Sequence, residues 1–123
     1  MLTEAEVLVA LRDCYDLEIR CNVVDLGLIR SVSIERDLDA PGTGIAGVPQ
    51  KHLVTISLIL TNPGEAAEAQ TRAQIVNRLA GLESVGRTTV TILDAPRWTP
   101  NFITPNGRRI LGLDGNPGLI QIL

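Results

Sequence analysis

Residues 53–60, Leu-Val-Thr-Ile-Ser-Leu-Ile-Leu, run without a break into Thr61-Asn62-Pro63-Gly64-Glu65, and this join restricts the fold more than any other stretch. Val54, Ile56, Leu58 and Leu60 alternate with Leu53, Thr55, Ser57 and Ile59, the period-two pattern of a strand, here read as the central one. The residues that follow carry helix-start signals. With Asn62 as N-cap, Pro63 stands at N1 and Glu65 at N3, a capping box with Asn in place of Ser or Thr. A helix is therefore expected over 65–80, with Ala69, Ala73, Val76 and Ala80 as a small-residue stripe, Ile75 and Leu79 beside it, and Gly81 as its stop.

The remaining elements fall around this strand–helix unit. Thr3 and Glu6 have capping-box spacing, and Val7, Leu8, Leu11 and Tyr15 recur at helical intervals, so a first helix is expected over 4–15. A loop over 16–25 leads to a first strand, where Leu28, Arg30, Val32 and Ile34 alternate with Ile29, Ser31, Ser33 and Glu35. A long Gly- and Pro-rich connection, 36–50, makes an elongated hairpin to the central strand. Residues 88–94 read as a third strand, Thr104-Pro105 as the start of a short helix to Leu111, and Leu119–Leu123 as a further edge strand. The expected fold is a single α+β domain over 1–123, a two-layer αββαβα arrangement. Its small, mostly antiparallel sheet would carry the helices on one face.

Composition excludes several functions. The net charge is -3 and no basic run or aromatic platform exists, since Tyr15, Trp98 and Phe102 are the only aromatics, so a nucleic-acid surface is not expected. No apolar stretch approaches the ~20 residues of a membrane helix, and the start of the chain lacks the charged-then-apolar pattern of a signal peptide. Two cysteines, Cys14 and Cys21, read as reduced thiols, and the expected location is cytoplasmic.

Few residues offer chemistry. Gly42-Thr43-Gly44-Ile45-Ala46-Gly47 has the form G-x-G-x-x-G, but Pro49 and a strand follow it, so no helix N-terminus receives a pyrophosphate. Asp16, Glu18 and Asp25 share one loop and could act as acid and base or ligate a hard metal, although loop carboxylates are usually just solvated. His52 stands alone beside Lys51, where an exposed strand-edge imidazole is expected. The cysteines lack C-x-x-C spacing. One chain cannot supply the four thiolates an iron–sulfur cluster typically takes, whereas a homodimer could.

Three separated motifs then agree. Asp16-Leu17-Glu18-Ile19 followed by Asn22-Val23-Val24-Asp25-Leu26-Gly27-Leu28-Ile29 resembles the D-P-E-[IL]-x-x-[NS]-[IV]-V-D-L-G-L-[IV] signature of the PaaD-like/SufT-like family of iron–sulfur cluster assembly proteins. Leu60-Thr61-Asn62-Pro63-Gly64-Glu65-Ala66 resembles that family's L-T-x-P-G-C-P turn. Trp98-Thr99-Pro100-Asn101-Phe102-Ile103-Thr104, with Arg109-Ile110-Leu111-Gly112-Leu113, resembles its W-T-P-D-x-[IM]-[ST] and R-x-x-L-G-L segments. The resemblance implies an αββαβα domain and a role in iron–sulfur cluster assembly, with client or assembly proteins as partners.

The departures set the functional expectation. Glu65 stands where the family turn has cysteine, Ala66 and Leu17 replace its prolines, and the zinc-binding cysteines of longer members are absent. A carboxylate is a hard ligand, poorly matched to a soft iron–sulfur centre. The chain is therefore expected to be an adaptor rather than an enzyme, with no cofactor or metal of its own and no catalytic residue. Its binding surface would comprise Asp25, Thr61, Asn62, Glu65 and Trp98. The alternative is a metal-binding accessory or enzyme subunit built on Asp16, Glu18, Asp25 and Glu65.

Overall fold

The computed structural model describes residues 1–113, so the edge strand expected at 119–123 lies outside the described residues. The elements in chain order are α1 (Glu4–Leu11), β1 (Ile29–Arg36), β2 (His52–Leu58), α2 (Glu65–Ala80), β3 (Val85–Ile92), a 3-10 turn (Pro100–Phe102) and α3 (Pro105–Ile110). The α+β class and the αββαβα order are as the sequence implies. The sheet order is β1-β2-β3, with β2 central.

Pairing departs from the expectation. β1 and β2 are antiparallel, but β2 and β3 run parallel, so the sheet is mixed rather than mostly antiparallel. The cause is the long α2: a helix between two strands carries the chain back to the end it left, and the next strand then runs in the same direction. Val54, Ile56 and Leu58 of β2 pack with Ile75 and Leu79 of α2 and with Val7 and Leu11 of α1 in one core. The opposite face carries Ser31, Ser33 and Glu35 on β1, Leu53, Thr55 and Ser57 on β2, and Arg87, Thr89 and Thr91 on β3.

Several local expectations change for physical reasons. α1 stops at Leu11 rather than Tyr15, because Cys14 donates to Leu11 and accepts from Val23, while Tyr15 bridges to Asn22. At α2 the capping box does not form. The chain stays extended through Gly64 (φ 172, ψ 158), so the helix begins at Glu65, its N-cap supplies no side-chain hydrogen bond, and Asn62 caps nothing. The buried side of α2 is Ile75 and Leu79, whereas Ala69, Ala73 and Ala80 face solvent. β3 starts at Val85, three residues early. His52 is buried, not exposed: its backbone donates to Ser84 and its Nδ1 lies 3.0 Å from the same carbonyl, which closes the α2–β3 connection over it. The Thr104 cap stands as read, its hydroxyl accepting from the Gly107 amide.

Candidate functional site

Among the described residues, Asp25 alone combines three side-chain hydrogen bonds with an ion pair, and it is not on the surface. It is 1% exposed. Its carboxylate accepts from Asn22 Nδ2 at 2.8 Å, Thr104 Oγ1 at 2.7 Å and Asn106 Nδ2 at 3.0 Å, with Arg12 Nε at 3.5 Å. Burial alone would raise its pKa, but the hydrogen bonds from Thr104, Asn22 and Asn106 and the Arg12 charge together hold it below the usual carboxylate value. Backbone contacts extend the clamp. Thr104 N donates to Asp25 O at 2.9 Å, and Trp98 Nε1 donates to Leu26 O at 2.6 Å. Gly27 has φ +75, and a Cβ there would come within 2.2 Å of Phe102 O; one on Gly107 would meet Asp25 O at 2.6 Å. The Val-Val-Asp-Leu-Gly-Leu segment is thus a seat for residues 98–107.

A second constellation forms where the 16–19 loop meets the turn before α2. Asp16 Oδ1 accepts from the Glu18 and Ile19 amides at 2.9 and 3.0 Å, an Asx turn, and Oδ2 accepts from Thr61 Oγ1 at 2.7 Å. Gln74 of α2 holds the same loop by a two-way bond to the Tyr15 backbone, at 3.0 and 2.9 Å. Between these walls lies a cleft of about 430 Å³. Its charged lining residues are Asp16, Glu18 and Glu65, all acidic, with Tyr15 and the exposed Leu17 at its rim. A second depression of about 320 Å³ on the far side of the turn is walled by Leu93, Asp94, Arg97 and Trp98.

The expected site residues therefore separate. Thr61, Asn62 and Glu65 share the cleft, and Trp98, half-buried, lines the neighbouring depression. Asp25 belongs to the interior clamp. Of the carboxylates in the alternative reading, Asp16, Glu18 and Glu65 line one cleft and Asp25 lies apart; among the described residues, no three His, Cys, Asp or Glu side chains are placed to hold a metal ion.

The sequence model of the family described as iron–sulfur cluster assembly protein matches residues 4–92, well over half of the chain. The chain belongs to this iron–sulfur cluster assembly family. The match holds both walls of the cleft and stops before Trp98 and α3, the segment that docks on Asp25. No curated protein sequence matches the chain. Among solved structures it is similar to a domain of unknown function from Bacillus anthracis, at 19% identity and TM-score 0.66, covering 89% of this chain and 92% of that one. It is similar also to a conserved hypothetical protein from Thermotoga maritima, at 22% identity and TM-score 0.64, covering 90% and 95%. These two likenesses concern the fold.

No cysteine lines the cleft. Cys14 and Cys21 are free thiols buried in the core, 1% and 0% exposed. Burial is the main cause that pushes both thiols up in pKa, against the thiolate a cluster needs. The charged donors that line the cleft are hard carboxylate oxygens, and both thiols lie in the core. Among the described residues, no helix is long and apolar enough to cross a membrane.

Sequence reasoning missed Asn22, Thr104 and Asn106 as the partners of Asp25, and Gln74 as the brace of the loop. Asn22 was visible in principle, since an Asn three residues before an Asp is a common turn closure. The other partners lie across the chain, where no local pattern reports them.

Proposed function

We propose that this assembly-family protein acts as an adaptor, docking a client or assembly protein in the cleft between the 15–18 loop and the Thr61–Glu65 turn, and that it neither catalyses a reaction nor carries a cluster on its own cysteines. The observation that carries this reading is the cleft itself: acidic at Asp16, Glu18 and Glu65, apolar at the Leu17 rim, and without a thiol. Such a surface fits a basic segment with an apolar anchor, because complementary charge steers encounter while a buried side chain supplies most of the affinity. Asp16 and Thr61 bond to each other and fix the wall. Glu18 and Glu65 are exposed, so their charge faces the partner. Two buried, unbridged thiols fit a reducing compartment such as the cytoplasm.

Two measurements test it. Anaerobic reconstitution with iron and sulfide should leave the visible spectrum featureless; a stable brown holoprotein that loses its colour in the Cys14→Ala, Cys21→Ala double variant would overturn the cluster-free reading. Against purified iron–sulfur client and scaffold proteins, the Glu18→Lys, Glu65→Lys double variant should weaken binding by about tenfold or more. Binding that survives this double reversal places the partner elsewhere.

A further inference from the structure

The sheet face turned away from the helices has an order that the cleft does not explain. Register places its side chains in three rows across the strands: Glu35–Leu53–Arg87, Ser33–Thr55–Thr89 and Ser31–Ser57–Thr91. The outer residues of every row are exposed and the β2 residues are half-buried. Six of the nine positions are Ser or Thr, so the second and third rows are low, and the long side chains stand in the first row, at Glu35, Leu53 and Arg87. Within these nine positions the charges are Glu35 and Arg87; Asp37 and Lys51 stand just beyond the first row, where the Lys51 ammonium is turned to the Glu83 carbonyl at the end of the sheet. Glu35 and Arg87 share the first row, one strand either side of Leu53, roughly 10 Å apart at two strand spacings. Neither takes part in an ion pair among the described residues.

Opposite charges placed symmetrically about a central strand are what a two-fold axis can use. Consider a second copy stacked face to face, with the axis running along β2 between the two sheets. The rotation sends β1 of one copy over β3 of the other and keeps each row level with itself. Glu35 then faces Arg87 of the second copy, Arg87 faces its Glu35, and Leu53, Thr55 and Ser57 each face their own counterparts. A two-fold axis across the strands fails this test: centred on the first row it sets Glu35 against Glu35, and centred on the second it sets both charges against hydroxyls. Aligned stacking, with mean strand directions within ~30° and sheets ~10 Å apart, is an ordinary way for two sheets to meet.

We propose that the open face of the sheet is a self-association surface, on which two copies stack about an axis parallel to β2 through reciprocal Glu35–Arg87 pairs. Nine side chains a copy fall short of a stable interface of roughly 20–30 residues a side, so the dimer is a weak one, with a dissociation constant on the order of 0.1 mM. Because the axis follows the strands, the Thr61–Glu65 turns of both copies leave from the same end of the dimer. Two clefts side by side would let one partner with two segments bind both, where tethering raises the effective concentration of the second.

The test is charge exchange, read by sedimentation equilibrium and by diffusion in solution over a concentration series at low salt, with circular dichroism to confirm folding. Glu35→Arg alone and Arg87→Glu alone each set like charges face to face and should raise the dissociation constant by about tenfold. The double variant Glu35→Arg, Arg87→Glu restores opposite pairs and should return to within about threefold of wild type. Thr55→Lys places a charge against its own copy and should dissociate the dimer without touching either charged residue. A wild type that stays monomeric at millimolar concentration overturns the proposal. So does a dimer indifferent to the single reversals, or one that the double variant fails to restore.

Discussion

Asp16 and Asp25 come from one loop and one residue type, yet the structure gives them opposite surroundings. Asp25 is enclosed, with donors from Asn22, Thr104, Asn106 and Arg12 converging on it. Asp16 is half-exposed and spends its oxygens on two loop amides and Thr61, which leaves Glu18 and Glu65 beside it facing the open cleft. The first region closes the fold and the second presents a surface. A buried carboxylate is tolerated only when its hydrogen bonds are made, so saturation marks Asp25 as architecture. The exposed acids of the cleft, Glu65 and Glu18 with its one long contact to Asn62, are what remains available to a partner.

The largest expected effect breaks the clamp. Asp25→Ala leaves the buried Asn22 donor and the part-buried Thr104 and Asn106 donors without their acceptor, removes the partner of the half-exposed Arg12, and should cost about 2–4 kcal/mol, measured by chemical unfolding. Asp16→Ala, in a solvated loop, should cost about 1 kcal/mol. Equal losses at the two positions would erase the distinction. Acid sharpens it. The pKa of Asp25 is lowered in the folded state, so its stabilisation is complete above the ordinary value of 3.8 and disappears as pH falls through the lower folded value. Asp25→Asn keeps one acceptor but turns a donor toward other donors, so it should be destabilised most near neutral pH. The gap to wild type should narrow as the solution is acidified below pH ~4.

Glycines give the next contrast. Gly107→Ala sets a methyl 2.6 Å from Asp25 O and 2.8 Å from Ile103 Cγ2, and should cost about 1–3 kcal/mol through overpacking. Gly27→Ala should be worse, because its φ of +75 adds backbone strain to a 2.2 Å approach. Gly64→Ala, in the cleft wall, meets nothing within 4 Å and should change the unfolding free energy by no more than about 0.5 kcal/mol. Three single-methyl additions, ranked by thermal melts, therefore map where the chain is closed and where it is open.

What the sequence shows and hides follows the same division. The β2 alternation, the span of α2 and the Thr104 cap were legible because each is a local pattern with a local cause. The family resemblance was legible for the same reason, being carried by short contiguous motifs. The parallel pairing of β3, the burial of His52 under Ser84 and the Asp25 clamp depend on residues far apart in the chain, and no period or spacing encodes them. Asn62 is the instructive failure. Its type and its place before Pro63 satisfy the rules for a cap, but its side chain lies within 3.5 Å of Glu18 and the chain stays extended for two more residues. A tertiary contact across the cleft stands where the local capping bond was expected.

That failure changes what Glu65 should do, and here a small effect is the most discriminating. At N3 of a capping box, Glu65 would accept from the Asn62 amide, and Gln would keep that bond while Ala lost it. At the first helical position it makes no such bond, and only its charge acts, against the positive end of the α2 dipole. Glu65→Gln and Glu65→Ala should therefore cost nearly the same, about 0.3–1 kcal/mol each, with the cost shrinking in high salt. A clear advantage of Gln over Ala would restore the capping box. Glu65→Cys carries the comparison to chemistry. A thiol at an exposed helix start is pulled toward the thiolate, whereas Cys14 and Cys21 are held as thiols by burial. Thiol-specific labelling at pH 7 should modify the Glu65→Cys variant once and the wild type not at all. Labelling of the wild type would mean that the core around Cys14 and Cys21 opens. An unreactive variant would mean that the start of α2 does not present its side chain to the cleft.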